Sequence, residues 1–192
     1  MPRRICPRCG SRNTAKILWG MPAFTEELQE KLNKKEIVFG GCCITGNAPT
    51  HHCNKCKKDF GYLTTDMELA TTGFNFSLGG YFGGYHSLSI AKAETGAVAT
   101  YTPPLSVSYM QSIEKQLSTE EWLEFVHGLY RCYIPDWKKH YIDPGILDGT
   151  QWGLEITFID RKPLKCNGSN MFPPHWKKFL KVINKLGLPD IE

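Results

Sequence analysis

The chain has no apolar run approaching the roughly 20 residues that cross a bilayer, so no helical membrane span is expected. No apolar segment follows Met1-Pro2-Arg3-Arg4-Ile5-Cys6, which leaves the start without the make-up of a secretory signal and predicts a cytoplasmic protein. Internal repeats and low-complexity stretches are absent. So are Gly-x-Ser-x-Gly and His-Glu-x-x-His, the compact signatures of a serine hydrolase and a zinc protease. The glycine-rich segment from Gly79 to His86 lacks the Lys-Ser/Thr ending of a phosphate loop. These absences remove the enzyme classes that announce themselves locally. They leave open a site assembled from distant residues.

Cysteine, by contrast, is plentiful, with eight in 192 residues. A disulfide framework would suit an exported chain, whereas cytosolic thiols stay reduced. Four of the eight form two Cys-x-x-Cys pairs, Cys6-Pro7-Arg8-Cys9 and Cys53-Asn54-Lys55-Cys56. Two such turns supply the ligands of a closed tetrahedral zinc site, and the expected cofactor is one structural Zn²⁺ per chain on Cys6, Cys9, Cys53 and Cys56. Four thiolates leave no position for water, which argues against a catalytic metal. Iron accepts the same ligands. His51, His52 or Cys42 would each offer a substitute ligand, but the four-cysteine set is simpler. A redox dithiol fits poorly, since it ordinarily needs one pair on a βαβ scaffold. Cys42, Cys43, Cys132 and Cys166 read as small buried residues.

Gly10 follows the first pair and suits the backbone bend, while Lys57 stands at the corresponding place after the second. In Cys6-Pro7-Arg8-Cys9-Gly10, Gly40-Gly41-Cys42 and Cys53-Asn54-Lys55-Cys56, residues 5–62 resemble a family of uncharacterised bacterial zinc-ribbon proteins. The resemblance covers about a third of the chain. It implies a zinc-ribbon fold and these metal ligands, but no reaction. Forty-three residues separate Cys9 from Cys53, long for a compact ribbon, and predict a helical insertion.

The expected organisation is a zinc-ribbon domain over 1–62 and an α+β domain over 73–192, joined by a polar, Thr-rich stretch. In the first, Lys16–Trp19 and Ile37–Phe39 read as strands. Thr25-Glu26-Glu27 opens a helix with its acids at the positive end of the dipole. Phe60 and Tyr62 are expected to cover the metal. In the second, alternation predicts strands at Phe74–Leu78, Tyr85–Lys92 and Ala97–Thr102, and a fourth from Val107 to about Ile113. Ser118 with Glu121 forms a capping box ahead of Trp122, Phe125, Val126, Leu129 and Tyr130. A hairpin spans Trp152–Cys166. A last helix follows Ser169 and Asn170, either of which is a suitable cap, and buries Trp176, Phe179, Leu180, Ile183 and Leu186. The plan is a mainly antiparallel sheet packed with two helices.

Charge is uneven. Residues 1–62 carry eleven Lys/Arg against five Asp/Glu, a net +6, and the remainder has a net −2. The metal end is therefore the basic end, which fits contact with a polyanion. The functional expectation is an interaction module that meets a protein or nucleic-acid partner through its basic N-terminal domain, with no membrane role. The competing expectations are an enzyme with its site near the glycine-rich segment and His86, and a toxin-neutralising or regulatory protein. No catalytic set emerges from His86, His127, His140 and His175, or from Asp136, Asp143, Asp148 and Glu155.

Overall fold

The computed structural model describes residues 3–107, 111–146 and 148–192. The fold is α+β, and the chain divides into two compact units, Met1–Thr65 and Asp66–Glu192.

The first unit is a small sheet built around strand β1 (Thr14–Trp19). Helix α1 (Glu26–Asn33) follows, with the Thr25 side chain accepting the Leu28 N–H at its start. The chain then returns as β2 (Ile37–Gly41), parallel to β1, because a helical crossover lets the second strand run in the same direction. Gly40 is placed by packing: a side chain there would meet the Trp19 ring at 2.6 Å. Strands β3 (His51–Cys53) and β4 (Asp59–Phe60) add on antiparallel, giving the order β2-β1-β3-β4. The predicted helical insertion is therefore a parallel β-α-β crossover that adds one edge strand. His51 and His52, directly ahead of the second cysteine pair, lie in β3.

In the second unit, helix α2 (Thr65–Ala70) and the first residues of β5 (Thr71–Gly80) occupy much of the polar, Thr-rich stretch between the two expected domains. Strands β6 (Gly84–Lys92) and β7 (Ala97–Thr102) continue as hairpins. The fourth strand begins later than its sequence suggests. Leu105–Val107 is a single 3₁₀ turn and β8 is Ile113–Leu117; the intervening residues 108–110 lie outside the described residues. Helix α3 (Thr119–Tyr130) carries the expected capping box, Ser118 accepting from the Glu121 N–H and Glu121 accepting from the Ser118 N–H. Strand β9 (His140–Ile142), which no alternation announces, precedes β10 (Gln151–Phe158), β11 (Leu164–Ser169) and helix α4 (Trp176–Asn184).

These strands form one sheet in the order β8-β7-β6-β5-β10-β11-β9, antiparallel except between β11 and β9. One set of alternating residues, including Phe74, Phe76, Leu88, Ile90, Trp152, Leu154 and Ile156, forms a core with Phe125 and Leu129 of α3 and Phe179 and Ile183 of α4. Phe179 is at its centre, edge-on to Phe76 at 5.1 Å and to Trp137 at 5.3 Å. The start of α4 differs from expectation. His175 holds the N-cap position in a left-handed conformation without a side-chain cap. Asn170 instead accepts the Thr150 N–H at 2.9 Å, tying the β11 end to the preceding turn.

Candidate metal centre

Two turns of the first unit have the same construction. In the first, the Cys6 carbonyl accepts the Gly10 N–H at 3.0 Å, and the Cys6 N–H reaches the Ser11 carbonyl at 2.9 Å. In the second, the Cys53 carbonyl accepts the Lys57 N–H at 2.8 Å, and the Cys53 N–H reaches the Lys58 carbonyl at 2.9 Å. Gly10 and Lys57 are both left-handed, at φ +70° and +57°. Each turn thereby presents both its sulfurs on one side. The second turn is fixed to β1 through the Thr14–Cys53 pairing and through Asn54, whose N–H reaches the Asn13 carbonyl at 2.9 Å.

The result is a cluster of four sulfurs, from Cys6, Cys9, Cys53 and Cys56, all within 4.8 Å of one another. Across the two turns Cys6 and Cys56 are 3.7 Å apart, and Cys9 and Cys53 are 3.6 Å apart. Sulfurs bonded at about 2.3 Å to one tetrahedral ion stand about 3.8 Å from each other, so the spacing suits a single ion between them. It is far beyond a disulfide bond of about 2.05 Å. Cys6 and Cys53 are completely buried.

The thiols differ in acidity. Burial pushes Cys6 up to about 12, against N–H bonds from Cys9 and Arg8. Burial also opposes ionisation of Cys53, but N–H bonds from Cys56 and Lys55 and the neighbouring thiols outweigh it and bring it down to about 7. Cys56 is raised, again chiefly by burial. Of these three thiols, Cys53 is therefore the one that ionises most readily.

Of the alternative ligands, the two histidines are engaged elsewhere. His51 bonds the Thr50 hydroxyl at 2.8 Å and stacks on Phe60 at 5.4 Å. Burial, then the charges of Arg4 and Lys16, lower its pKa. His52 faces Asp59 across β3 and β4, with Nδ1 2.6 Å from the carboxylate. Phe60 is fully buried, whereas Tyr62 is 40% exposed. Cys42 and Cys43 are not core residues as expected: both are exposed, because the chain leaves the sheet at Gly41. Cys132 and Cys166 are buried in the second unit, each pushed up to about 11 by that burial.

The other candidates stay apart. Gly79–His86 is the β5–β6 hairpin, pairing Gly80 with Gly84 around an exposed Tyr81-Phe82 tip. His86 bonds the Tyr101 hydroxyl at 2.7 Å, His127 lies 3.1 Å from Glu68, and His140 lies 2.9 Å from Asn167. Glu155 pairs with Lys165 on the polar sheet face, where a shallow concavity of about 440 Å³ includes Asn75, Ser77, Ser87, Ser89 and Asn167. A second concavity of about 470 Å³ runs between α3 and α4. Neither includes Gly79–His86.

No protein-family model matches the chain, and no curated protein matches it. No helix among the described residues is long and apolar enough to cross a membrane.

Proposed function

We propose that Cys6, Cys9, Cys53 and Cys56 hold one structural zinc ion, and that the zinc-organised first unit is an interaction module for a polyanionic partner, a nucleic acid foremost. The sulfur spacing from two matching turns supports the first half. Sixty-five residues bury little apolar surface, and a metal centre supplies the missing cohesion. Four thiolates in a closed shell fit zinc, as they also fit iron, and it is the ribbon resemblance of residues 5–62 that favours zinc.

The unpaired cations support the second half. Arg3, Lys31 and Lys34 are matched to Glu36, Glu27 and Glu30. Arg4, Arg12, Lys16, Lys55, Lys57 and Lys58 are exposed and make no ion pair among the described residues. A zinc tetrathiolate has a net charge of about −2, which offsets part of this excess but not the whole of it. Phosphate contacts made by such residues release counterions, so binding weakens steeply with salt.

The test is retention of the zinc-loaded protein on immobilised nucleic acid. Binding that falls with salt, and is lost in a Lys55→Ser, Lys57→Ser, Lys58→Ser variant that keeps its metal, supports the reading. Elution at low salt by the unmodified protein contradicts the nucleic-acid partner.

A further inference from the structure

Six of the eight cysteines have structural places: four in the metal cluster and two buried beside the sheet of the second unit. Cys42 and Cys43 do not. They are adjacent, exposed and free, and they belong to no strand, helix or ligand set. They immediately follow Gly41, whose carbonyl accepts the Gly20 N–H at 2.9 Å. The loop they open returns to the sheet at Thr50, whose carbonyl accepts the Ile17 N–H at 2.9 Å. Accessible thiols are the ones that exchange with disulfides, since attack requires approach of the attacking thiolate to a disulfide sulfur.

We propose that Cys42 and Cys43 form a thiol–disulfide exchange site, modified by a low-molecular-weight disulfide. One thiolate of the pair attacks the disulfide, forming a mixed disulfide and expelling one thiolate. The neighbouring thiolate then attacks the protein sulfur of that mixed disulfide and expels the second. The pair has lost two electrons and two protons and is joined by a bond between Cys42 and Cys43. The small disulfide has been reduced to two thiols. Adjacent Cα atoms stand about 3.8 Å apart, closer than the roughly 4.4–6.8 Å of ordinary disulfides. The closed ring is therefore strained and readily reduced, which is the property of a reversible modification rather than a permanent staple.

The experiment uses the full, metal-loaded chain and oxidised glutathione as the probe, with peptide mapping by mass and metal content measured on the same sample. The expected product lacks two hydrogens, has Cys42 linked to Cys43, and returns to the dithiol on adding reduced glutathione. The Cys42→Ser and Cys43→Ser variants, both at exposed positions, each lose the ring and stop as a single glutathione adduct on the remaining cysteine. The proposal is overturned if the unmodified chain accumulates open glutathione adducts, if the pair does not react, or if either single variant closes a bond to another cysteine. Loss of metal during the reaction would bear on the zinc assignment and is read separately, from the metal content and the mapping of Cys6, Cys9, Cys53 and Cys56.

Discussion

Gly10 and Lys57 do the same work in the two cysteine turns. Each takes a left-handed backbone conformation, and each donates its N–H to the carbonyl of the cysteine that begins its turn. Only one of them is a glycine. A side chain in this conformation costs about 1–2 kcal/mol, part of which glycine returns through its larger unfolded-state entropy.

Lys57→Gly should therefore tighten metal binding, because in a small metal-organised unit binding and folding are linked. The expected gain of about 0.5–1 kcal/mol corresponds to roughly a two- to fivefold rise in apparent zinc affinity, measured by chelator competition. Gly10→Ala should shift it in the opposite direction by a similar or larger factor.

Zinc affinity should fall as pH falls, and more steeply below about 7. Binding requires deprotonated sulfurs and expels whatever protons they carry. Above neutral pH Cys53 starts largely ionised, whereas Cys6 and Cys56 are held protonated by burial. Below about 7 Cys53 must also give up its proton, adding to the number released. Calorimetric titration in buffers of different ionisation enthalpy reads that number, and a pH-independent release would contradict the ordering.

Ser118→Ala removes one half of the α3 capping box and should destabilise the second unit by about 1 kcal/mol. Glu121 retains its contact with Lys115 at 3.1 Å, so the helix start is weakened rather than abolished. Denaturant unfolding followed by tryptophan fluorescence checks this, all but one of the five tryptophans being in the second unit.

Phe179→Ala empties the centre of the aromatic core and should cost about 3–5 kcal/mol. The ring is fully buried and contacts Phe74, Phe76, Trp137 and Trp176. Phe179→Leu should restore more than half of that, since it refills most of the volume.

The clustering of Cys6, Cys9, Cys53 and Cys56 was legible because its information is local: two short spacings and a residue type whose chemistry is specific. The capping box at Ser118 and Glu121 and the alternation through Phe74, Phe76 and Leu78 were legible for the same reason. What was hidden depends on distant partners. β9 has three residues, of which only Tyr141 is buried, and it exists because β11 offers an edge. The parallel pairing of β2 with β1 depends on how α1 returns the chain, which no residue in either strand encodes alone. Cys42 and Cys43 look like core residues by type, yet they fall just past the last paired residue of an edge strand. Asn170 resembles a helix cap, but its side chain closes the turn before β10 and the helix starts later.

Elemental analysis of the purified protein tests the central claim most directly, with Cys6→Ser and Cys53→Ser variants alongside. One zinc per chain, resistant to dialysis and lost in both variants, is the predicted result. No metal, iron in place of zinc, or metal retained in both variants would contradict a structural zinc ion on these four thiolates.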